Sequence, residues 1–171
     1  LFFRDKTYFD KQETNGNHVF WSRGNGWVLA GMARVLEYMP ADYPDRDRYV
    51  RLFKELAERV AGLQQSDGLW RMSLLDPDST PDGETSGTGL FCYGLAWGIN
   101  QGILPRDRFL PVVEAAWRAL SQSVDASGRL EWVQMPGTSP GSIHKDDTAE
   151  YGVGALLLAG SEMIKLNGAN R

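Results

Sequence analysis

Two kinds of helix alternate along this chain. Residues 24–39 (GNGWVLAGMARVLEYM) place Val28, Leu29, Met32, Val35, Leu36 and Met39 at helical spacing, with no charge before Arg34. Pro40 stands where that helix should end. Residues 45–64 follow Pro44 and carry one apolar stripe, Tyr49, Leu52, Phe53, Leu56, Val60 and Leu63, opposed by Arg, Lys and Glu. Residues 86–101 (SGTGLFCYGLAWGINQ) hold no charge at all. Residues 106–124 return to the striped kind, and residues 149–166 are uncharged between Glu150 and Glu162. A helix apolar all round must be covered all round, whereas a striped helix faces water on one side. The first, third and fifth helices are therefore expected to be inner and the second and fourth outer. Antiparallel helices in two alternating layers describe an all-α fold, either an α/α toroid or an α-solenoid.

The inner helices also begin alike. Gly24-Asn25-Gly26-Trp27, Gly87-Thr88-Gly89-Leu90 and Gly152-Val153-Gly154-Ala155 recur at separations of 63 and 65 residues, measured from the second glycine. Each glycine inside a helix costs roughly 1 kcal/mol relative to Ala, so the recurrence implies close backbone approach. The turns upstream match too: Asn15-Gly16 leads to Trp21, Asp67-Gly68 to Trp70 and Ser127-Gly128 to Trp132. A period of this length is one helical hairpin plus a loop, and the chain holds about two and a half of them. Its opening, LFFRDKTYFDKQET, reads like the interior of a longer protein.

Composition removes several classes. With 18 Lys+Arg against 22 Asp+Glu, the net charge of -4 argues against nucleic acid or a polybasic membrane contact as partner. The uncharged stretches are broken by Gly and Asn and give no membrane span. One cysteine, Cys92, excludes an intrachain disulfide framework, and His18 and His144 have no zinc-ligand spacing, so neither metal nor cofactor is expected. Oligomeric state is left open.

Loops 71–85 and 133–148 are long, and loops of that length are usually functional or disordered. Both precede inner helices, which puts them at one end of the array, where a binding site is expected. Arg23 there offers a planar fork for a carboxylate. Trp27, one turn on, offers a flat face for a sugar ring, and Asn25 offers a donor and an acceptor. Parallel helix starts favour an anion. The plainer reading makes Arg23 a structural partner and Trp27 core. Thr85 or Ser86 is expected to cap the third helix. His144-Lys145-Asp146-Asp147 is either a closing cluster or a solvated loop, and Asp5 and Asp10 are acids without evident partners.

Four segments carry a resemblance. Phe20-Trp21-Ser22-Arg23-Gly24-Asn25-Gly26-Trp27; Leu63-Gln64-Gln65 with Asp67-Gly68-Leu69-Trp70; Glu84-Thr85-Ser86-Gly87; and Tyr151–Ala155 with Leu157–Glu162 are similar to the unsaturated rhamnogalacturonyl hydrolases, glycoside hydrolase family 105. The resemblance implies a six-hairpin (α/α)6 barrel, of which this chain is roughly the C-terminal half. It implies an acidic oligosaccharide from pectin or rhamnogalacturonan, with a 4,5-unsaturated uronic acid at its non-reducing end. An Asp hydrates the double bond by protonating C4 and activating water for C5, so the paired carboxylates of ordinary glycosidases are not required. That acid has no matching position here, and no catalytic residue is assigned. Arg23 and Trp27, with Asn25 as a weaker neighbour, are implied to bind substrate. The family often carries His in the segment matching Leu1–Asp5, where this chain has Arg4, a departure that marks a different aglycone. The 171 residues alone are expected to be inactive.

Two alternatives remain at this level. One is another enzyme on the same toroid, an epimerase or an endo-glycanase. The other is a non-enzymatic α-solenoid scaffold, which predicts striped helices throughout, against three nearly uncharged ones.

Overall fold

A computed structural model describes residues 1–168. It contains helices α1 (Ser22–Tyr38), α2 (Arg46–Ala61), α3 (Thr85–Asn100), α4 (Arg106–Gln122) and α5 (Glu150–Gly168), within a few residues of the spans expected from periodicity. Strands β1 (Trp70–Arg71) and β2 (Gly83–Glu84) pair antiparallel, Trp70 opposite Glu84. None of the described helices is long and apolar enough to cross a membrane.

Helix α3 is the axis of the core. Every residue from Thr85 to Ile99 is buried. Helix α1 packs on one flank, α5 on the other, and α4 also packs against it. Phe53 of α2 meets Trp97 edge-on at 5.5 Å, and Trp70 of β1 tilts against Phe91 at 5.1 Å. Cys92 is wholly buried, which pushes its thiol up to about 12 and keeps it protonated.

Only α3 meets the expectation of cover on every side. Helix α1 leaves Trp27, Val35 and Tyr38 exposed, and α5 leaves Val153, Leu157 and Ile164 exposed. The reason is position: α3 has an inner helix on each flank, whereas α1 and α5 are the edges of the arc. Beside α5, Trp117 and Val124 of the α4 side and Leu156, Gly160 and Ile164 of α5 line an apolar groove of about 460 Å³.

The paired glycines are not equivalent. A Cβ on Gly89 would lie 2.9 Å from Ala155 Cβ and 3.1 Å from its carbonyl carbon, so this glycine sets the α3–α5 approach. A Cβ on Gly154 would meet nothing within 4 Å. Gly89→Ala should therefore cost about 1–3 kcal/mol through forced separation of the helices. Gly154→Ala should instead stabilise by roughly 0.5–1 kcal/mol through helix propensity. Urea unfolding midpoints of the two variants check this, and equal shifts would refute the packing account.

The matched turns upstream of the inner helices share one conformation. Gly16, Gly68 and Gly128 take φ of 82°, 86° and 86°, where a side chain is strained. The loops that follow are joined at one end of the array. Ser22 N donates to Met72 O and Leu74 N to Phe20 O, both at 2.9 Å, and Thr85 N donates to Trp132 O at 2.9 Å. Trp132 itself has φ 57°, unusual for a bulky residue, and this turns its carbonyl onto the head of α3.

Candidate functional site

The head of α3 is held by a carboxylate. Glu84 is fully buried and is the N-cap residue. Its Oε1 accepts from Ser86 N at 2.9 Å, from Ser86 Oγ and from Gln134 N at 3.2 Å, and its Oε2 accepts from Gly87 N at 2.6 Å. A buried carboxylate at a helix N-terminus is favoured by the exposed N–H groups and the helix dipole. The sequence points to Thr85 or Ser86 as the cap; in the structure Thr85 Oγ1 donates instead to Glu131 O and Trp132 O, and Ser86 Oγ donates to Glu84. The glutamate reaches farther than either hydroxyl and gathers four donors.

The residue preceding each Gly-X-Gly is Arg23 in α1, Ser86 in α3 and Tyr151 in α5, and the fold brings these three together. Arg23 is 4% exposed. Its Nη1 donates to Gln134 O and lies 3.5 Å from Ser86 Oγ, and its Nη2 donates to Met135 O at 3.1 Å. The guanidinium carbon sits 4.5 Å from the Trp21 ring and 4.8 Å from the Tyr151 ring, a cation between two aromatic faces. Tyr151 Oη donates to the same Gln134 carbonyl, and burial pushes its phenol up, so it remains a donor.

Gln134 is the hub of loop 133–148. Its Oε1 accepts from Trp21 Nε1 at 2.7 Å and its Nε2 donates to Ser139 O at 2.9 Å. Tyr8 Oη donates to Thr138 O at 2.9 Å. Residues 134–140 are thus pinned by side chains from the N-terminal segment, α1 and α5. Of the two roles the sequence leaves open for Arg23, ligand binding and structural partner, the hydrogen bonds seen here are of the second kind, to the carbonyls of Gln134 and Met135.

Asn25 faces the other way. Its Oδ1 accepts from Phe2 N at 2.8 Å, and its Nδ2 donates to Phe2 O at 3.1 Å and to Trp21 O at 3.0 Å. It clasps the N-terminal segment to α1 and has no capacity directed outward. Trp27 is 50% exposed on the open face of α1, with its ring free to meet a flat partner. The three expected site residues therefore share the first two turns of one helix without converging on one point. Two build walls and one presents a surface. Between the N-terminal segment and these turns lies a hollow of about 130 Å³.

The remaining candidates are surface features. Asp5 accepts from Thr7 N at 2.8 Å and from Thr7 Oγ1, capping a short 3₁₀ turn, and the Thr7 hydroxyl is the main cause holding its carboxyl below the usual range. Asp10, His18 and His144 are exposed, and His144 N donates to Asp147 Oδ2 in a solvated turn. Among the described residues no group of three His, Cys, Asp or Glu side chains is placed to hold a metal ion.

Asp125 shows how these turns are held. Its Oδ1 accepts from Ser127 Oγ at 2.6 Å, Ser127 N at 2.8 Å and Arg129 N at 3.0 Å. The Ser127 hydroxyl, followed by the Arg129 backbone, brings its carboxyl down from 3.8 to about 2. Its folded value lies below its unfolded one, so its contribution is complete above the unfolded value and is lost as pH falls through the folded one. Asp125→Asn and the parent should differ in urea midpoint near neutral pH and converge as pH approaches about 2. A constant gap across that window would show that the charge does not hold the turn.

Comparison with known proteins places this geometry. A family model described as Glycosyl Hydrolase Family 88 matches residues 1–167. An unsaturated 3S-rhamnoglycuronyl hydrolase of Alteromonas sp. (strain LOR) is 48% identical over 167 residues, 98% of this chain and 40% of that protein. A protein of the same name from Formosa agariphila is 46% identical over 172 residues, 97% of this chain and 46% of that protein. The solved glycosyl hydrolase family 88 protein from Bacteroides vulgatus superposes with a TM-score of 0.92 at 39% identity, over 96% of this chain and 49% of that one. The chain thus spans about half the length, or somewhat less, of the relatives it matches. Its helices form part of an (α/α)6 toroid.

Proposed function

The chain belongs to glycosyl hydrolase family 88, and from that membership we propose that the protein is an unsaturated uronyl hydrolase. The supporting observation is 48% identity, across 98% of this chain, to a relative named for hydrolysis of an unsaturated rhamnoglycuronide. On this reading the substrate is an acidic oligosaccharide with a 4,5-unsaturated uronic acid at its non-reducing end and rhamnose next to it. Water adds across the double bond, its proton going to C4 and its hydroxyl to C5. The resulting hemiketal opens and releases the following sugar. The likeness to family 105 is part of the same proposal and rests on the four segments that carry it, the run Phe20–Trp27 being the most specific.

Trp27 stacks on a sugar ring. Arg23 and Asn25 act one step back: the first fixes residues 134–140 over the mouth, the second fixes the N-terminal segment beside it. The proton-transferring acid belongs to the rest of the toroid. In the same proposal the 171 residues are the C-terminal portion of one domain. Its other hairpins cover Val35 and Tyr38 of α1, beyond the turns that present Trp27, and the apolar groove between α4 and α5, as an internal helix contact requires.

The test is spectroscopic. The full-length protein should abolish the absorbance of the conjugated double bond in unsaturated uronyl-rhamnose disaccharides. Retention of that absorbance with every unsaturated uronyl disaccharide would overturn the reading.

A further inference from the structure

A wider hollow lies where the N-terminal segment abuts the pinned loop. Gly16, at φ 82°, turns the segment back on itself, and Gln12 bridges to His18 across that turn. Between this small hairpin and residues 139–140 is a space of about 290 Å³. A cavity of roughly 150 Å³ admits one six-membered ring, so this one has room for a pyranose with its hydroxyls.

The lining has two chemistries. Tyr8 and Val19, both buried, and Pro140 supply apolar surface. Lys11, Glu13 and Ser139 supply polar groups. Lys11 is braced rather than paired: its Nζ lies 4.0 Å from the Tyr8 ring centroid and makes no hydrogen bond or ion pair to another described residue. Its three donors are therefore open. Glu13 accepts from Ser73 Oγ at 2.7 Å through Oε1, which leaves Oε2 as a free acceptor among the described residues. One cation and one anion make the lining neutral in sum.

The hollow is one side chain away from Arg23. Ser139 O accepts from Gln134 Nε2 at 2.9 Å, and Gln134 O accepts from Arg23 Nη1. Tyr8 Oη ties the other wall to Thr138 O at 2.9 Å. Both walls are thus fixed by hydrogen bonds within the protein, which lowers the ordering cost of binding.

We propose that this hollow is a distal saccharide subsite, which takes the third sugar of the substrate, counted from the unsaturated uronate, as a neutral pyranose. The C–H face of the ring packs on Val19 and Pro140. Its hydroxyls accept from Lys11 Nζ and donate to Glu13 Oε2. A ring bearing its own carboxylate sets that charge beside Glu13, so the subsite disfavours it. The assignment rests on the uronyl-hydrolase reading for the substrate and on the hollow for its chemistry, and the two are tested separately.

The full-length protein is assayed on an unsaturated uronyl-rhamnose disaccharide and on two trisaccharides that extend it, one by glucose and one by glucuronate. kcat/KM on the glucose-extended substrate should exceed that on the disaccharide by about tenfold, the scale of one hydrogen bond to a charged group, and should exceed that on the glucuronate-extended one. Lys11→Ala should bring the glucose-extended to disaccharide ratio close to one; Lys11 is exposed, so the fold survives its loss. Ser139→Trp, which fills the hollow, should do the same. A wild-type ratio of one, a ratio unchanged in either variant, or a preference for the glucuronate-extended substrate overturns the subsite. If all three saccharides are inert, calorimetric titration with each reads the subsite alone. Tighter binding of the glucose-extended trisaccharide than of the disaccharide, lost in Lys11→Ala, then upholds it while the activity reading falls. Equal or absent binding without turnover overturns both.

Discussion

Glu84→Ala should cost about 3–5 kcal/mol, near the top of what one substitution does. The carboxylate takes four hydrogen bonds at a site with no solvent exposure. Removing it strands the backbone N–H groups of Ser86, Gly87 and Gln134, each costing about 1–3 kcal/mol when left buried and unpaired. Part of that is recovered as Ser86 Oγ turns to a new partner and the helix head relaxes. Glu84→Gln is the sharper test, because it conserves volume. It replaces one accepting oxygen by an NH₂ that must face a donor at either end, so about 2–3 kcal/mol should still be lost. Urea unfolding of both variants in the full-length protein measures this. A Gln variant within about 0.5 kcal/mol of the parent would show that volume and not acceptor capacity holds the head of α3. The damage should extend to the mouth loop, since Gln134 N is one of the four donors.

The helices were legible because their burial is periodic. A stripe in α2 and α4 and an uncharged run in α3 each have one physical meaning, and the spans follow. The uncharged runs of α1 and α5 were legible as inner surface, but not the openness of their far faces, because cover depends on neighbours the pattern does not name. The glycine repeat was visible as a repeat; which glycine is crowded was not, since Gly89 meets Ala155 and Gly154 meets nothing only after the helices are docked. The site was half legible. Position in the repeat marks Arg23, Ser86 and Tyr151 as equivalents, one residue ahead of each Gly-X-Gly, and equivalent positions on neighbouring inner helices meet at the mouth. Gln134 carried no such mark. Its role comes from contacts more than a hundred residues away along the chain, with Trp21 and Arg23, and no local pattern encodes those. Residue type suggested that Arg23 and Asn25 bind a ligand, and the same donors are as well suited to backbone carbonyls.

On the proposed uronyl-hydrolase activity, Arg23→Lys in the full-length protein should lower kcat/KM on the unsaturated disaccharide by roughly 100-fold, the scale of loss that misplacing a site wall by about 1 Å can cause. The charge is conserved, so loss of field is not the cause. The fork is lost: an ammonium is a point donor that cannot bridge the carbonyls of Gln134 and Met135 while lying flat between Trp21 and Tyr151. Residues 135–138 are already exposed, and with their anchor weakened they should become a site of limited proteolysis. That second readout separates the two possible roles. An arginine that only held the uronate would give, as lysine, a raised KM with the loop still resistant. An arginine that holds the loop gives cleavage within 134–140 in the free protein, before any substrate is added, and a fall in kcat as well as a rise in KM. Resistance to protease equal to the parent would return Arg23 to the ligand and leave Gln134, Trp21 and Tyr8 to hold the loop without it.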